Sequence, residues 1–291
     1  MKILAGIVTY NPDIIRLKEN IEAVINQVQS ILIFDNASSN FQKISELVEL
    51  YSTVTIIRST DNLGIASALK EIMQYGERNS YDWILTLDQD SIVRENLIKT
   101  YKSYLNIKSV GMLTCLIEDR NFKSEKIDLS EYEEVPYCIT SGSLTNVFAY
   151  NNVAGYDDDF FIDCVDFDIC YQLREKKFKI LRINYNGLLH EVGHGCNKKF
   201  LFENIVVYNE SSLRRYYIAR NTIWLSKKHP KLFPFYIAIS KELKELIRIL
   251  FYEKDRICKL KSWLIGIRDG LIMKASGSSS KYGYTITRNE K

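Results

Sequence analysis

Trp83-Ile-Leu-Thr-Leu-Asp-Gln-Asp-Ser91 is an apolar, β-prone run that leads straight into two carboxylates one residue apart and stops there. In an α/β protein ligands gather outside the carboxyl ends of the strands, so Asp88 and Asp90 would sit where a divalent ion and its phosphates bind. The plainer reading is an acidic turn capping the next helix, because acidic residues are common at turns and N-caps. Taken alone, the stretch leaves both open.

Outward from this run the same pattern repeats. Ile3 to Val8, Ile31 to Phe34, Val54 to Ile57 and Val110 to Ile117 read as strands, and Asp13 to Gln27, Gln42 to Tyr51 and Ala66 to Tyr75 carry apolar residues at helical spacing. Repeated strand–helix units predict an α/β fold with a Rossmann-like, mostly parallel sheet and helices on both faces. The repeat of about 25 residues is close to the minimum for a right-handed crossover, so the first half reads as a nucleotide-binding half-domain. Residues 118 to 135 are polar and charged, and a surface loop is expected there. Val165 to Lys176 has the pattern of an amphipathic helix with Phe167, Cys170, Tyr171 and Leu173 inward.

With 291 residues, 46% of them hydrophobic, the chain can bury a large core. Its six cysteines include no CxxC pair, and Met1-Lys2 leads directly into a strand; a reducing cytoplasm and no disulfides are expected. The net charge of +3 conceals an asymmetry: residues 227 to 291 hold 15 Lys/Arg against 6 Asp/Glu, a local +9, and the remainder is −6. The basic part contains two amphipathic stretches, Phe235 to Tyr252 and Ile257 to Lys274, after a break at Pro230 and Pro234. Such helices suit a membrane interface, with apolar side chains buried and basic ones toward anionic head groups. They equally suit covering the α/β core or pairing in a homodimer. No run reaches the ~18 to 20 apolar residues that span a bilayer.

Four polar words fall at predicted strand ends: Thr9-Tyr10-Asn11-Pro12, Asp35-Asn-Ala-Ser38, Asp61-Asn62-Leu-Gly64 and Asp88-Gln89-Asp90. Parallel strands present all their carboxyl ends on one edge, so the four loops should meet in one crevice. Asp35 can accept hydrogen bonds from a base or ribose. Gly64 would permit close backbone approach before a helix N-terminus that favours phosphate.

Taken in order, the words Gly6-Ile-Val-Thr-Tyr-Asn-Pro, Ile33-Phe-Asp-Asn-Ala-Ser, Asn62-Leu-Gly-Ile-Ala, Leu85-Thr-Leu-Asp-Gln-Asp-Ser, Ile139-Thr-Ser-Gly-Ser-Leu, Phe161-Ile-Asp-Cys-Val-Asp-Phe-Asp, Leu189-His-Glu-Val-Gly and Tyr217-Ile-Ala-Arg-Asn resemble the family 2, GT-A-fold glycosyltransferases, and most closely their rhamnosyltransferase branch. The resemblance implies a nucleotide-sugar donor, Mg²⁺ or Mn²⁺, and inversion at the anomeric carbon, with dTDP-L-rhamnose as the donor. It places Asp90 and His190 on the metal. Asp166 becomes the base, although this chain reads Val165-Asp-Phe-Asp where the family has Glu-Asp-x-Asp. Thr9, Tyr10, Asn11, Asp35, Asn62, Gly64, Asp88, Gln89 and Arg220 fall on the nucleotide sugar, and Ser141, Gly142 and Asp163 border the acceptor. His194 has no firm counterpart. The plainer reading of Asp163, Asp166 and Asp168 is a set of carboxylates at a helix start.

The chemistry explains these residue types, because sugar transfer to a hydroxyl needs a base for the acceptor and neutralisation of the departing diphosphate. The expected organisation is a GT-A domain over 1–225, a basic helical extension over 226–275 and a disordered tail over 276–291. The expected partners are the donor, a lipid-linked or oligosaccharide acceptor and the inner face of the cytoplasmic membrane, with no nucleic acid. A UDP-hexose donor, or a non-catalytic membrane-associated interaction protein, remains the alternative. A nucleotidyltransferase would want a Gly-rich, basic phosphate loop after the first strand, which Thr9-Tyr-Asn-Pro does not supply. Processive synthesis would want spanning helices and a Gln-x-x-Arg-Trp word, and the chain has neither.

Overall fold

The computed structural model describes residues 1–119, 131–190, 196–200 and 203–274. Strand and helix alternate as the periodicity predicts: β1 (Ile3–Thr9), α1 (Ile14–Val24), β2 (Ser30–Asp35), α2 (Phe41–Val48), β3 (Val54–Arg58), α3 (Gly64–Arg78) and β4 (Trp83–Asp88). There follow β5 (Ile92–Val93), α4 (Leu97–Lys102), β6 (Val110–Asp119), β7 (Tyr132–Glu134), β8 (Ser143–Asn146), α5 (Val147–Asn151), a 3₁₀ turn (Asp158–Phe160), α6 (Val165–Glu175) and β9 (Lys179–His190). A hairpin of β10 (Cys196–Phe200) and β11 (Glu203–Val207) precedes three helices, α7 (Ser212–Lys228), α8 (Phe235–Phe251) and α9 (Arg256–Ile272). The expected loop at 118–135 begins and ends in strand, since β6 runs to Asp119 and β7 pairs with β9; its middle, the expected tail and His194 lie outside the described residues.

The main sheet runs β3-β2-β1-β4-β8-β6-β9-β5, with β7 attached to β9. Its first four strands are parallel, and their register sets Thr9 beside Asp35 and Val8 beside Asp88, which brings the polar strand ends to one edge. From β8 onward the sheet is mixed. β8 pairs antiparallel with β4, Thr86 opposite Ser143, so the turn before β8 arrives at the same edge from the opposite direction.

The two-residue period of a strand sorts side chains onto the faces. Ile3, Ala5 and Ile7 join Trp83, Leu85 and Leu87 in a core under α1, α2 and α4. Leu4, Val8 and Ile84 face the other way, into a core closed by α3, α5, α6 and α7. The same alternation carries Asp88, two and four residues beyond Thr86 and Ile84, onto the α6 side.

The basic helices extend the α7 layer. α9 lies directly on α7: a Cβ at Gly266 would come within 2.4 Å of the Tyr216 carbonyl oxygen, and one at Gly270 within 2.6 Å of the Arg220 carbonyl oxygen. Only glycine permits that approach. Buried Arg215 on α7 pairs with Glu245 on α8 and Glu253 after it, Lys259 of α9 reaches Glu253 at 3.1 Å, and Trp263 donates to Glu242 at 2.8 Å. The position where the 1–225 expectation places a boundary is inside α7. Outside this packing, α8 leaves Tyr236, Ile239, Leu243, Leu250 and Phe251 exposed, and α9 leaves Ile257, Leu264 and Leu271 exposed at a seven-residue spacing.

Candidate active site

A cleft of about 1060 Å³ opens at the carboxyl edge of β1, β2 and β4, and it brings together Tyr10, Asn62, Gly64, Asp88, Gln89, Asp90, Asp166 and His190 from the residues expected at the site. These come from five separate segments of the chain, so only the folded sheet makes them neighbours.

Several expected contacts instead form the floor. Thr9 and Asp35 are fully buried. The Asp35 carboxylate accepts from the Thr9 hydroxyl at 3.1 Å and from the Ser38 amide at 3.0 Å, so it braces the β1–β2 edge and turns no oxygen toward the cleft. Asn11 is likewise engaged, its amide oxygen accepting from the Ser39 amide and hydroxyl at 2.8 Å. The neighbour of Asp35 lines the cleft in its place: Asn36 accepts from the Leu63 amide at 2.8 Å and donates to the Gly64 carbonyl at 3.0 Å. Gln89 ties β4 to β1 by accepting from the Tyr10 amide at 2.8 Å.

The expected acceptor pair is also structural. Ser141 is 2% exposed; its hydroxyl accepts from the Asp88 amide at 3.1 Å and lies 2.8 Å from the Ser91 hydroxyl. Gly142, at φ +78°, donates to the Thr86 carbonyl at 2.8 Å and accepts from the Tyr101 hydroxyl at 2.7 Å. Both hold the β4 end from below and neither faces the cleft.

Ser91 continues this chain of contacts to His190, whose Nδ1 lies 2.9 Å from the Ser91 hydroxyl. With Nδ1 engaged, Nε2 is left toward the cleft, 3.9 Å from Asp88 Oδ2. Burial raises the Asp88 carboxyl pKa; His190 works against that shift and Asp90 adds to it. Among the described residues no group of three or more His, Cys, Asp or Glu side chains is drawn tightly enough to hold an ion unaided. An oxygen donor at Asp90 and an imidazole at His190 on one cleft wall nevertheless fit Mg²⁺ or Mn²⁺, which bind through few protein ligands and complete their shells with phosphate and water.

Asp166, which lines the same cleft, lies in the first turn of α6. Burial pushes its carboxyl up to about 6, with backbone N–H groups opposing the shift. That places a proton acceptor near neutrality. The segment before it is strained: Phe161, Asp163 and Cys164 all have φ between 60° and 64°, a region costly for residues with a Cβ. Asn221 holds it, its amide donating to the carbonyls of Phe160 at 2.8 Å, Ile162 at 2.6 Å and Asp163 at 3.0 Å.

Arg220, expected on the nucleotide sugar, is 4% exposed and donates to the carbonyls of Asp159 and Phe160 while lying over the Tyr217 ring. The Arg-Asn word therefore holds the segment that leads into α6, and neither residue lines the cleft. Asn221→Ala should lower stability by about 1–3 kcal/mol, the cost of leaving buried carbonyls unpaired, and should also lower kcat by loosening Asp166. Thermal melts and initial rates on the same preparation check both.

The Gly64 expectation changes in the same way. At φ +82°, a Cβ here would come within 2.5 Å of the Phe161 carbonyl oxygen, and that oxygen accepts from the Ile65 amide at 2.6 Å. The α3 N-terminus is capped by the strained segment and is not open to phosphate. Asp163 pairs with Arg214 at 3.2 Å and lines a neighbouring cavity, and Asp168 is buried against His229 and Lys228 at 2.9 and 2.8 Å, locking α6 to α7. Phe167, expected inward, lines the cleft. Arg214, Tyr208, Glu210 and Phe161 line it too, and no strand-end pattern marks them because α7 and the segments before it reach the site only through tertiary packing.

The chain belongs to glycosyl transferase family 2, whose family model matches residues 5–153, and it is a glycosyltransferase. It is similar to the dTDP-rhamnosyl transferase RfbF of Shigella flexneri, 27% identical over 289 residues that span 92% of this chain and 95% of that protein. Among solved structures, GalNAc-T7 with UDP, GalNAc and Mn²⁺ matches with a TM-score of 0.64 at 13% identity, over 93% of this chain and 56% of its own, so this chain spans little more than half of it. TarS 1–349 of S. aureus matches with a TM-score of 0.59 at 11% identity, over 92% of this chain and 81% of its own. These structures establish a GT-A-like α/β fold.

Proposed function

We propose that the chain is an inverting, divalent-metal-dependent rhamnosyltransferase that moves L-rhamnose from dTDP-L-rhamnose to a hydroxyl of a lipid-linked saccharide in bacterial surface polysaccharide synthesis. The observation that carries this reading is a single cleft lined by Asp166 together with Asp88, Asp90 and His190. The similarity to a dTDP-rhamnosyl transferase supports the donor.

In this reading Asp166 takes the proton from the acceptor hydroxyl as its oxygen attacks the anomeric carbon. The bond to the nucleoside diphosphate breaks on the opposite face, which inverts the centre. Asp90 and His190 would hold the divalent ion, which when bound neutralises charge on the departing diphosphate. A second cavity of about 450 Å³, lined by Tyr137, Arg182 and Asn186, shares Ile139, Asp166 and Phe167 with the cleft and offers the acceptor a path to the base. A screen of dTDP- and UDP-sugars with Mg²⁺ or Mn²⁺, reading nucleoside diphosphate release, should single out dTDP-L-rhamnose; turnover with a UDP-hexose alone would sink the donor assignment.

The exposed apolar faces of α8 and α9 and their basic residues support membrane attachment. Because α9 packs on α7, removing the helices would bare α7, and point changes are the cleaner test. The Leu243→Glu/Leu250→Glu double variant should stay in the supernatant with anionic vesicles that sediment the wild type. Equal sedimentation of both would count against the attachment.

A further inference from the structure

Beside the catalytic cleft lies a third cavity, of about 360 Å³, between the start of α6, α7 and α8. Lys241, Lys244 and Arg248 line it from α8, at positions i, i+3 and i+7 and therefore on one flank of the helix. The acidic side chains of this cavity already have partners, one of them the cavity's own Arg248. Asp163 pairs with Arg214 at 3.2 Å, Glu245 is shared by Arg215 and Arg248, and Glu242 is 2% exposed and accepts from Trp263 at 2.8 Å. Burial raises the Glu242 pKa, which further reduces the negative charge available there. Among the described residues, Lys241 and Lys244 have no ion-pair partner. The Lys241 ammonium is 5.1 Å from the ring centroids of both Phe167 and Phe233, which leaves its hydrogen-bonding capacity unspent.

Two further observations say what such a site would take. Phe167, the residue after the base, lines this cavity, the cleft and the Tyr137 cavity alike, so a group seated on the lysines lies next to the route to Asp166. Around the same helix, the exposed Tyr236, Ile239, Leu243 and Leu250 form an apolar flank adjoining the basic one. A helix with cations toward a cavity and bare apolar side chains outward matches an anion that carries an apolar chain.

We propose that this cavity is an anion site for the phosphate or diphosphate of an amphiphilic acceptor, gripped by Lys241 and Lys244 with its chain along the apolar flank of α8. The inference rests on the reading of the acceptor as lipid-linked. It adds a discrete headgroup site to what would otherwise be a diffuse attraction to a membrane.

Farnesyl diphosphate is the probe, titrated into the full-length chain in EDTA with saturating dTDP so that the donor cleft is filled. Lys241→Gln/Lys244→Gln, folded by circular dichroism, should bind it at least about tenfold more weakly than wild type, since both charge-assisted hydrogen bonds to the anion are lost. Farnesol, which lacks the anion, should bind wild type more weakly by a similar factor. Unchanged affinity in the double variant, or probe binding that appears only when dTDP is left out, overturns the site. Inorganic pyrophosphate competing as well as farnesyl diphosphate overturns the assignment to an amphiphile. Failure of the underlying transferase reading shows separately, as absence of nucleotide release from any donor.

Discussion

Asp166→Asn is expected to lower kcat by about 10²- to 10⁴-fold, the usual worth of a positioned general base, with the fold and nucleotide binding retained. The change conserves shape and removes only the ability to take a proton. It also separates the two readings of this carboxylate, because asparagine serves a helix start as well as aspartate does; were Asp166 merely a helix-start residue, the variant would keep its activity. The pH dependence follows from the same environment. Burial raises the Asp166 carboxyl to about 6, and a base works only when unprotonated, so the wild-type rate should be flat above that value and fall as pH drops through about 6. A rate that stays level down to the ordinary aspartate range would remove Asp166 from the proton-transfer step.

Asp90→Ala should abolish metal-supported turnover, with a loss beyond the about 10- to 100-fold typical of residues that merely orient a ligand. Ser91→Ala supplies that smaller comparison, since Ser91 holds His190 through Nδ1. Nucleoside diphosphate release measured across Mg²⁺ and Mn²⁺ concentrations should show Ser91→Ala recovering at high metal and Asp90→Ala failing to recover. An Asp90→Ala protein with wild-type turnover would mean that the cleft uses no metal at this position.

Much of the architecture was legible from local pattern. The strands at Ile3, Ile31, Val54, Trp83 and Val110 and the first three helices lie within a few residues of their expected bounds, because apolar periodicity reports directly which side of an element is buried. Periodicity does not mark β8: Ser143-Leu-Thr-Asn146 is only four residues long and becomes a strand through pairing with β4 and β6. At the site, words quoted at strand ends led to Asp88, Gln89, Asp90 and Asn62, and the family resemblance led to His190, all on the cleft. They did not reveal which member of each word faces outward. Asp35 and Asn36 are adjacent and equally polar, yet the first is a brace and the second a wall.

By itself the amino-acid sequence determined the α/β class, the family and the edge at which the chemistry gathers, since period-two and period-3.6 patterns and short motif words are properties of neighbouring residues. Tertiary structure alone decided that Arg220 and Asn221 clamp the segment before α6, that Gly64 receives the Phe161 carbonyl, and that Lys241 stands beside Phe167. Those outcomes depend on contacts between residues up to 97 positions apart, such as Gly64 and Phe161, and on which partner each polar group finds once water is excluded. No local pattern encodes that choice, because the competing partners are set by how the helices dock on the sheet.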